Sequence, residues 1–532
     1  MSSLGRASAI LGAGTLVSRL TGLLRTIVLF AAVGAIGDAG DAFTIANQLP
    51  NNVFTLIQTG ILTAVIIPQI IKAGNHKDGG QAFISKLFTL GIIVFLGVTA
   101  IAMLTAPWLI FAYAQDFPPE KLAFTTAIAY WCLPQIFFYG IYALVGETLN
   151  AKRIFGPYTW APIANNVISI AGFLIFIALF GGDRRDFETW DPTMIAVLGG
   201  TATLGIVVQA VILLFTWRRT GLHLRPDFRW RGVGLRDVGR LAGWTFIMVI
   251  AGQLAGLVQS AVVSGASGEY PAMALMSAAW LVFMLPYSIF TISIGTPYFT
   301  QISEHATEGR DDSVRGDVAR CIRVVSLFIV VSTVALVVAS VPATRIFTND
   351  VDSAVAGAPV LICYLVGLLP LSVLFIVQRT FYAYGDTRTP FWFTMVQCAI
   401  IVGTAVAIPS FVPVSQWAAA LALSQSLAGL VQMIIAVWML RRRLGGLELG
   451  QTLLSIGRFV IAAVPAGFAG WGTFLLLGGV DGWSAADKLL GALGTSVIGG
   501  VTVIVYALVL IVLRAPELKV ATVILQRFLP KR

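Results

Sequence analysis

Charge is what this chain has least of. Lys, Arg, Asp and Glu together make up 11% of its 532 residues, against roughly 25% in soluble domains, so a water-facing surface cannot be assembled from it. Cysteine is scarce too. Cys132, Cys321, Cys363 and Cys398 lie in or beside apolar runs without paired spacing, which argues against a disulfide framework and reads most simply as packing. The three histidines, His76, His223 and His305, show no metal-ligand spacing with another His or Cys. There is no Walker loop, GxSxG or HExxH, so ATP hydrolysis and serine or zinc hydrolysis would need a partner. No catalytic activity, cofactor or metal is expected.

Apolar length is what the chain has instead. Hydrophobic residues are 57% of the total, and runs near or above the roughly 20 residues that cross a bilayer are numerous. They fall at about 9–34, 42–71, 86–113, 122–149, 158–181 and 194–216, then at about 240–264, 272–300, 322–344, 354–383, 391–411, 416–440, 454–479 and 487–513. This predicts an all-α polytopic membrane protein with fourteen transmembrane helices. The first run is long enough to span, and no small-residue cleavage motif precedes a soluble domain, so a retained helix is expected rather than a cleaved leader.

The basic residues orient it. With a cytoplasmic amino terminus the outer loops hold only Lys121, Arg184, Arg185, Arg345 and Lys488. The inner loops hold most of the rest, including Lys152, Arg153, the Arg218–Arg240 interval and Arg441 to Arg443. Lys and Arg are retained on the cytoplasmic side, so both termini are expected there. The net charge of +10 then reflects topology and attraction to anionic lipid rather than nucleic-acid binding. The mixed basic and apolar stretch after Trp217 reads equally as an interfacial linker or an ordinary basic loop.

Two phrases occur twice, in the same order. LPNNVFTL at Leu49 is matched by LPYSIFTI at Leu285, and ETLNA at Glu147 by RTFYA at Arg379, offsets of 236 and 232 residues. A duplicated unit explains this better than coincidence. The expected organisation is therefore two pseudo-symmetric six-helix lobes plus two C-terminal helices. Residues 1–217 form an N-lobe, 218–239 a cytoplasmic interfacial linker, 240–443 a C-lobe, 444–513 two helices offering a lipid-tail groove, and 514–532 a cytoplasmic tail.

Against this apolar background two arginines stand out. Arg19 and Arg25 sit in the middle of the first span, where a charge costs roughly 2.5–3.5 kcal/mol on insertion scales, so each must face water or an anion, or else tie helices through backbone carbonyls. The second span opens on Asp41 and continues with Thr44, Asn47, Asn51, Thr55 and Gln58 at steps of three or four, one polar stripe on a helix. A wet, cationic slot in a bilayer suits a small anion or a lipid phosphate, and guanidinium binds phosphate through two parallel hydrogen bonds. A drug-cation exporter would want carboxylates, and the spans carry almost none beyond Asp41 and Glu147. A membrane-embedded glycan transferase would need a carboxylate such as Asp183, Asp186, Glu188 or Asp191, in a loop that reads as solvated connector.

These residues resemble the MviN/MurJ family of the multidrug/oligosaccharidyl-lipid/polysaccharide exporter superfamily. The likeness rests on Ser18-Arg19-Leu-Thr-Gly22-Leu-Leu-Arg25, on GDAGDAF from Gly37 to Phe43, on Leu49-Pro50-Asn51, and on the Phe381 to Pro390 stretch FYAYGDTRTP. It covers essentially the whole chain. It implies two six-helix lobes around a central cavity, with Arg19, Arg25 and Asp41 at cavity positions. The implied activity is export of lipid II, the lipid-linked peptidoglycan precursor, across the bacterial cytoplasmic membrane. The implied partners are lipid II or a related polyprenyl-diphosphate glycan, membrane lipids, and cell-wall synthesis proteins as a further class. A flippase for another polyprenyl-linked glycan and an ion-coupled drug exporter are the alternatives. The chain departs from the family pattern at Thr26, Phe54, Thr59 and Leu281, where acidic or basic residues are usual, and span eleven lacks a carboxylate for a sodium site. Arg19, Arg25, Asp41, Asn47, Asn51, Thr55 and Gln58 are the expected substrate-binding residues.

Overall fold

In the computed structural model, residues 3–58, 80–152, 154, 156–228 and 235–518 are described. The expectations for residues 59–79, including Thr59 and the end of the second span, for residues 229–234 and for the tail beyond 518 lie outside them. Among the described residues the chain is helical without strands. Twelve helices among the described residues are long and apolar enough to cross a membrane, covering the third to fourteenth expected spans. The first two expected spans begin as helices α1 (Ser3–Val33) and α2 (Asp38–Ile57).

The chain divides into two compact units, one ending at Glu269 and the other starting at Tyr270. The first continues with α3 (Gln81–Leu104), α4 (Ala106–Tyr113), α5 (Pro119–Cys132), α6 (Gln135–Ala151), α7 (Gly156–Phe180), α8 (Pro192–Thr216) and α9 (Leu235–Ser264). Helix α9, which sequence order groups with the C-lobe, packs on α2 and α4 of this unit. Gln253 Nε2 donates to the Asn52 carbonyl at 2.9 Å and Ser260 Oγ to the Tyr113 carbonyl at 3.1 Å. Phe54, Phe88, Phe95, Leu144, Leu213 and Trp217 belong to its apolar core. Beyond Trp217 the chain runs back along α3, where Ser85 and Thr89 accept the backbone N–H groups of Arg225 and Asp227.

The second unit holds α10 (Met273–Pro286), a π-helical turn at Tyr287–Ile292, α11 (Ser293–Thr307), α12 (Asp311–Val338), α13 (Ser340–Arg345), α14 (Val351–Leu365) and α15 (Leu368–Ala383). It ends with α16 (Arg388–Phe411), α17 (Trp417–Arg443), α18 (Leu449–Leu476), α19 (Trp483–Ala486) and α20 (Lys488–Val512). The last two long helices pack against each other and against α12. Ala462, Ala463 and Ala466 on α18 let backbones approach closely, as small residues do where no hydrophobic force drives helices together in lipid. Leu454, Ile461 and Phe468, at seven-residue steps, are 65%, 62% and 67% exposed. Such a stripe would drive aggregation in water and faces acyl chains in a bilayer.

The repeated phrases mark repeated architecture. Pro50 lies inside α2, and Pro286 ends α10 at the π-helical turn; a proline removes a ladder hydrogen bond, so both places disturb the helix. The second phrases end α6 at Ala151 and α15 at Ala383. Between them each unit breaks a span at one residue, Thr105 or Ala339, and the next at a two-residue step, Leu133-Pro134 or Val366-Gly367.

The family-like FYAYGDTRTP stretch is a turn with its own hydrogen bonds. Gly385 adopts φ +69°, a left-handed conformation glycine enters without cost. Asp386 accepts the N–H groups of Arg388 and Thr389, each at 3.0 Å, and the Arg443 guanidinium at 2.8 Å, joining the start of α16 to the end of α17.

Arg345, expected as an outer-loop cation, is instead buried. It donates to the carbonyls of Ala485 at 2.8 Å, Ala486 at 2.7 Å and Thr348 at 2.5 Å, stapling α13 to α19. Arg345→Ala would orphan three carbonyls, so a loss of about 3 kcal/mol is expected, read as a lowered melting temperature and faster proteolysis near residue 483.

Candidate functional site

One cavity brings together residues that sequence periodicity picked out. It has a volume of about 290 Å³ and is lined by Arg25 and Thr26 of α1, Asn47, Gln48 and Asn51 of α2, Gln135 and Tyr139 of α6, and Ser169 of α7, among others. Local sequence explains each placement. Asn47 and Asn51 are one helical turn apart on α2, hence on one face. Gln135 is the first residue of α6, delivered by the Leu133-Pro134 break. Helix α1 runs unbroken through Gly22, and Asn166 of α7 holds it by donating to the Ser18 carbonyl at 3.0 Å and to Thr21 Oγ1 at 2.9 Å.

The lining is polar, and its order is imposed from behind. Gln135 Nε2 donates to Asn47 Oδ1 at 3.1 Å and to Thr203 Oγ1 at 3.0 Å, and Thr203 donates on to the Trp131 carbonyl at 2.6 Å. This chain fixes the Asn47 amide through its oxygen. Tyr139 stacks on Phe54 with ring centroids 5.5 Å apart and 21° between planes. Phe54 thus serves as a rigid backing for the phenol.

The cavity holds a cation with no anion to match. Among the described residues no carboxylate lies within ion-pair distance of Arg25, and no carboxylate lines the cavity. Thr26 turns its hydroxyl to the Gly22 carbonyl at 3.1 Å. A guanidinium in a pocket of amides and hydroxyls keeps its charge and five donors, so the arrangement can bind an oxyanion, and no carboxylate in the lining offers a cation a counter-charge.

The other expected residues lie elsewhere. Arg19 is half-buried on α1 and does not line the cavity. Thr55 Oγ1 bonds back to the Asn51 carbonyl at 2.7 Å, and Gln58 caps α2; both continue the α2 stripe beyond the cavity. Asp41 is 1% exposed and accepts from Ser267 Oγ at 2.5 Å. Ser267 in turn accepts from Lys121 Nζ at 2.8 Å, and Lys121 pairs with Asp38 at 2.5 Å. The two aspartates and the lysine form one buried polar network at the end of the unit that carries the α1–α2 turn. Gln48, Gln135, Tyr139 and Ser169 were missed. Gln48, at i+4 from Thr44 and three before Asn51, shares the face of the stripe, and the rest lie on helices whose hydropathy shows no polar face.

The loop carrying Asp183, Asp186, Glu188 and Asp191 is structural. The backbone N–H groups of Asp183 and Arg184 donate to the Ala31 and Ala32 carbonyls at 2.9 Å, and the Ala39 N–H donates to the Arg185 carbonyl at 2.9 Å. Asp186 and Asp191 cap the backbone N–H groups of Glu188 and Met194. All four carboxylate residues are exposed, as expected of a solvated connector, while the backbone of the loop is tied to the α1–α2 turn.

Comparison with known proteins bears on the family and the fold. The family model described as lipid II flippase MurJ matches residues 30–480. A relative from Synechocystis, named as a probable lipid II flippase MurJ, is 25% identical over 479 residues, covering 88% of this chain and 87% of its own length. A solved structure of lipid II flippase MurJ in an inward closed conformation superposes with a TM-score of 0.74 at 18% identity, covering 95% of this chain and 99% of the other. An inward-facing multidrug resistance MATE transporter of the MOP superfamily gives 0.66 at 15% identity, covering 80% and 94%. The fold is therefore shared beyond the family, and the sequence match over most of the chain places this multi-span membrane transport protein in the MurJ family of lipid II flippases.

Proposed function

We propose that this protein moves lipid II from the inner to the outer leaflet of the bacterial cytoplasmic membrane by alternating access, with both termini in the cytoplasm, and that Arg25 receives the diphosphate of the headgroup. The observation that carries this reading is the unmatched Arg25 guanidinium in a polar cavity inside an otherwise apolar span. At about 290 Å³ the cavity sits at the small end of ligand sites. It suits a phosphate pair and is too small for a glycan-peptide headgroup, which must occupy wider space beside it. Asn47 and Asn51 supply further donors, and Arg19, Thr55 and Gln58 extend the polar path along α1 and α2. Asp41, through its network, holds the end of α2 in place.

The lipid's physics supports a carrier of this kind. A polyprenyl tail buries dozens of carbons at about 0.8 kcal/mol per CH₂, so it stays in lipid, sheltered by α18 and α20, while the headgroup crosses the membrane. An outside-positive potential contributes about 2.3 kcal/mol per charge per 100 mV, favouring outward movement of the anion. The resemblance to MATE transporters supports a rocking motion of the two lobes.

The test is purified full-length protein in liposomes with lipid II placed in one leaflet, and a headgroup-modifying reagent on the other side. Transport is expected for lipid II and for other polyprenyl-diphosphate glycans that fit, and weak transport for a monophosphate-linked glycan. Equal transport of both linkages would remove the diphosphate from the mechanism.

A further inference from the structure

We propose that the second unit carries its own phosphate site, which binds the headgroup of an anionic phospholipid from the leaflet that charge asymmetry assigns to the cytoplasm. Three arginines converge there on a cavity of about 450 Å³: Arg320 and Arg323 of α12 and Arg458 of α18, with Gln451, Ser455 and Glu517 completing the polar wall. The segment after α20 closes it, because Ser455 Oγ donates to Glu517 Oε1 at 2.6 Å.

The charges do not balance. Glu517 is half-satisfied by Ser455, its Oε2 being buried without a hydrogen-bond partner. Glu448 reaches Arg323 Nη1 only at 3.6 Å, and that buried nitrogen makes no hydrogen bond. Among the described residues Arg320 and Arg458 have no carboxylate within ion-pair distance. Three guanidiniums against two carboxylates leave one positive charge, which a phosphodiester monoanion neutralises while offering oxygens to the unused forks.

The surroundings select a lipid as the source of that phosphate. From the cavity residue Leu454 the exposed stripe Leu454, Ile461, Phe468 runs along α18, on one helical face. A ligand with one negative charge at the arginines and apolar chains along the stripe is an anionic phospholipid. Basic pockets between spanning helices at the cytoplasmic side are suited to such headgroups.

The experiment measures lipid retention by native mass spectrometry and melting temperature, using the full chain in micelles supplied with phosphatidylglycerol, phosphatidylcholine or inorganic phosphate. Arg320→Gln and Arg458→Gln alter exposed residues, so the fold should survive. Each is expected to lower phosphatidylglycerol retention about fivefold, with phosphatidylcholine unchanged, and Arg458→Lys should retain more than Arg458→Gln. If inorganic phosphate stabilises the wild type as well as phosphatidylglycerol does, and the same variants abolish this, the pocket is a phosphate site fed by the free ion. Retention of phosphatidylglycerol that is equal in the wild type and the double variant, or no preference over phosphatidylcholine, overturns the proposal.

Discussion

Arg25→Ala is expected to reduce flipping in reconstituted liposomes by about a hundredfold while leaving the melting temperature unchanged. A hydrogen bond to a charged group contributes about 1.5–3 kcal/mol, and a guanidinium fork makes two; a loss of about 3 kcal/mol corresponds to roughly two orders of magnitude. The fold should tolerate the change, because no described partner is left unpaired when the side chain goes. Arg25→Lys keeps the charge and loses the fork, so an intermediate rate, about tenfold below wild type, is expected. Replacing Asn51, exposed at the cavity edge, should have a smaller effect than either. Full activity in Arg25→Ala would refute the role.

Lys121→Met is expected to have the largest effect on stability. Lys121 is nearly buried, its side chain 4% exposed, and it lies 3.8 Å over the Phe117 ring as well as binding Asp38 and Ser267. Removing it strips Asp38 of its ion-pair partner and breaks the link through Ser267 to buried Asp41, a change that costs about 3 kcal/mol when one partner of a buried pair is lost. The apparent melting temperature should fall sharply, and Lys121→Met with Asp38→Asn should recover part of the loss, since one of the stranded charges is gone. Gly268 belongs to the same arrangement. It adopts φ +102°, and a Cβ there would lie 2.6 Å from Asp38 Oδ1, so Gly268→Ala should weaken the network from the opposite side. Wild-type stability in Lys121→Met would show that the network contributes nothing.

The contrast between Arg25 and Asp41 shows how far linear sequence reaches. Both are charges in apolar surroundings, and by hydropathy alone both look like ligands for a substrate. The difference lies in what residues far away in the chain bring to them. Lys121 and Ser267, 80 and 226 positions from Asp41, supply a cation and a hydroxyl, whereas nothing among the described residues supplies Arg25 with an anion. Arg345 makes the same point, since three carbonyls turn an expected loop cation into a staple.

Helices, their membrane residence and the twice-used Leu-Pro phrases were legible in the sequence, because the bilayer imposes local rules: about 20 apolar residues per span and every backbone group bonded within its own helix. The polar stripe on α2 was legible for the same reason, a helix repeating every 3.6 residues. Which stripe residues enclose a cavity, which charges are already neutralised and which helices supply Gln135, Tyr139 and Ser169 were decided only by tertiary packing. Those facts depend on side chains from distant segments meeting at distances of a few ångströms, and no local period encodes that.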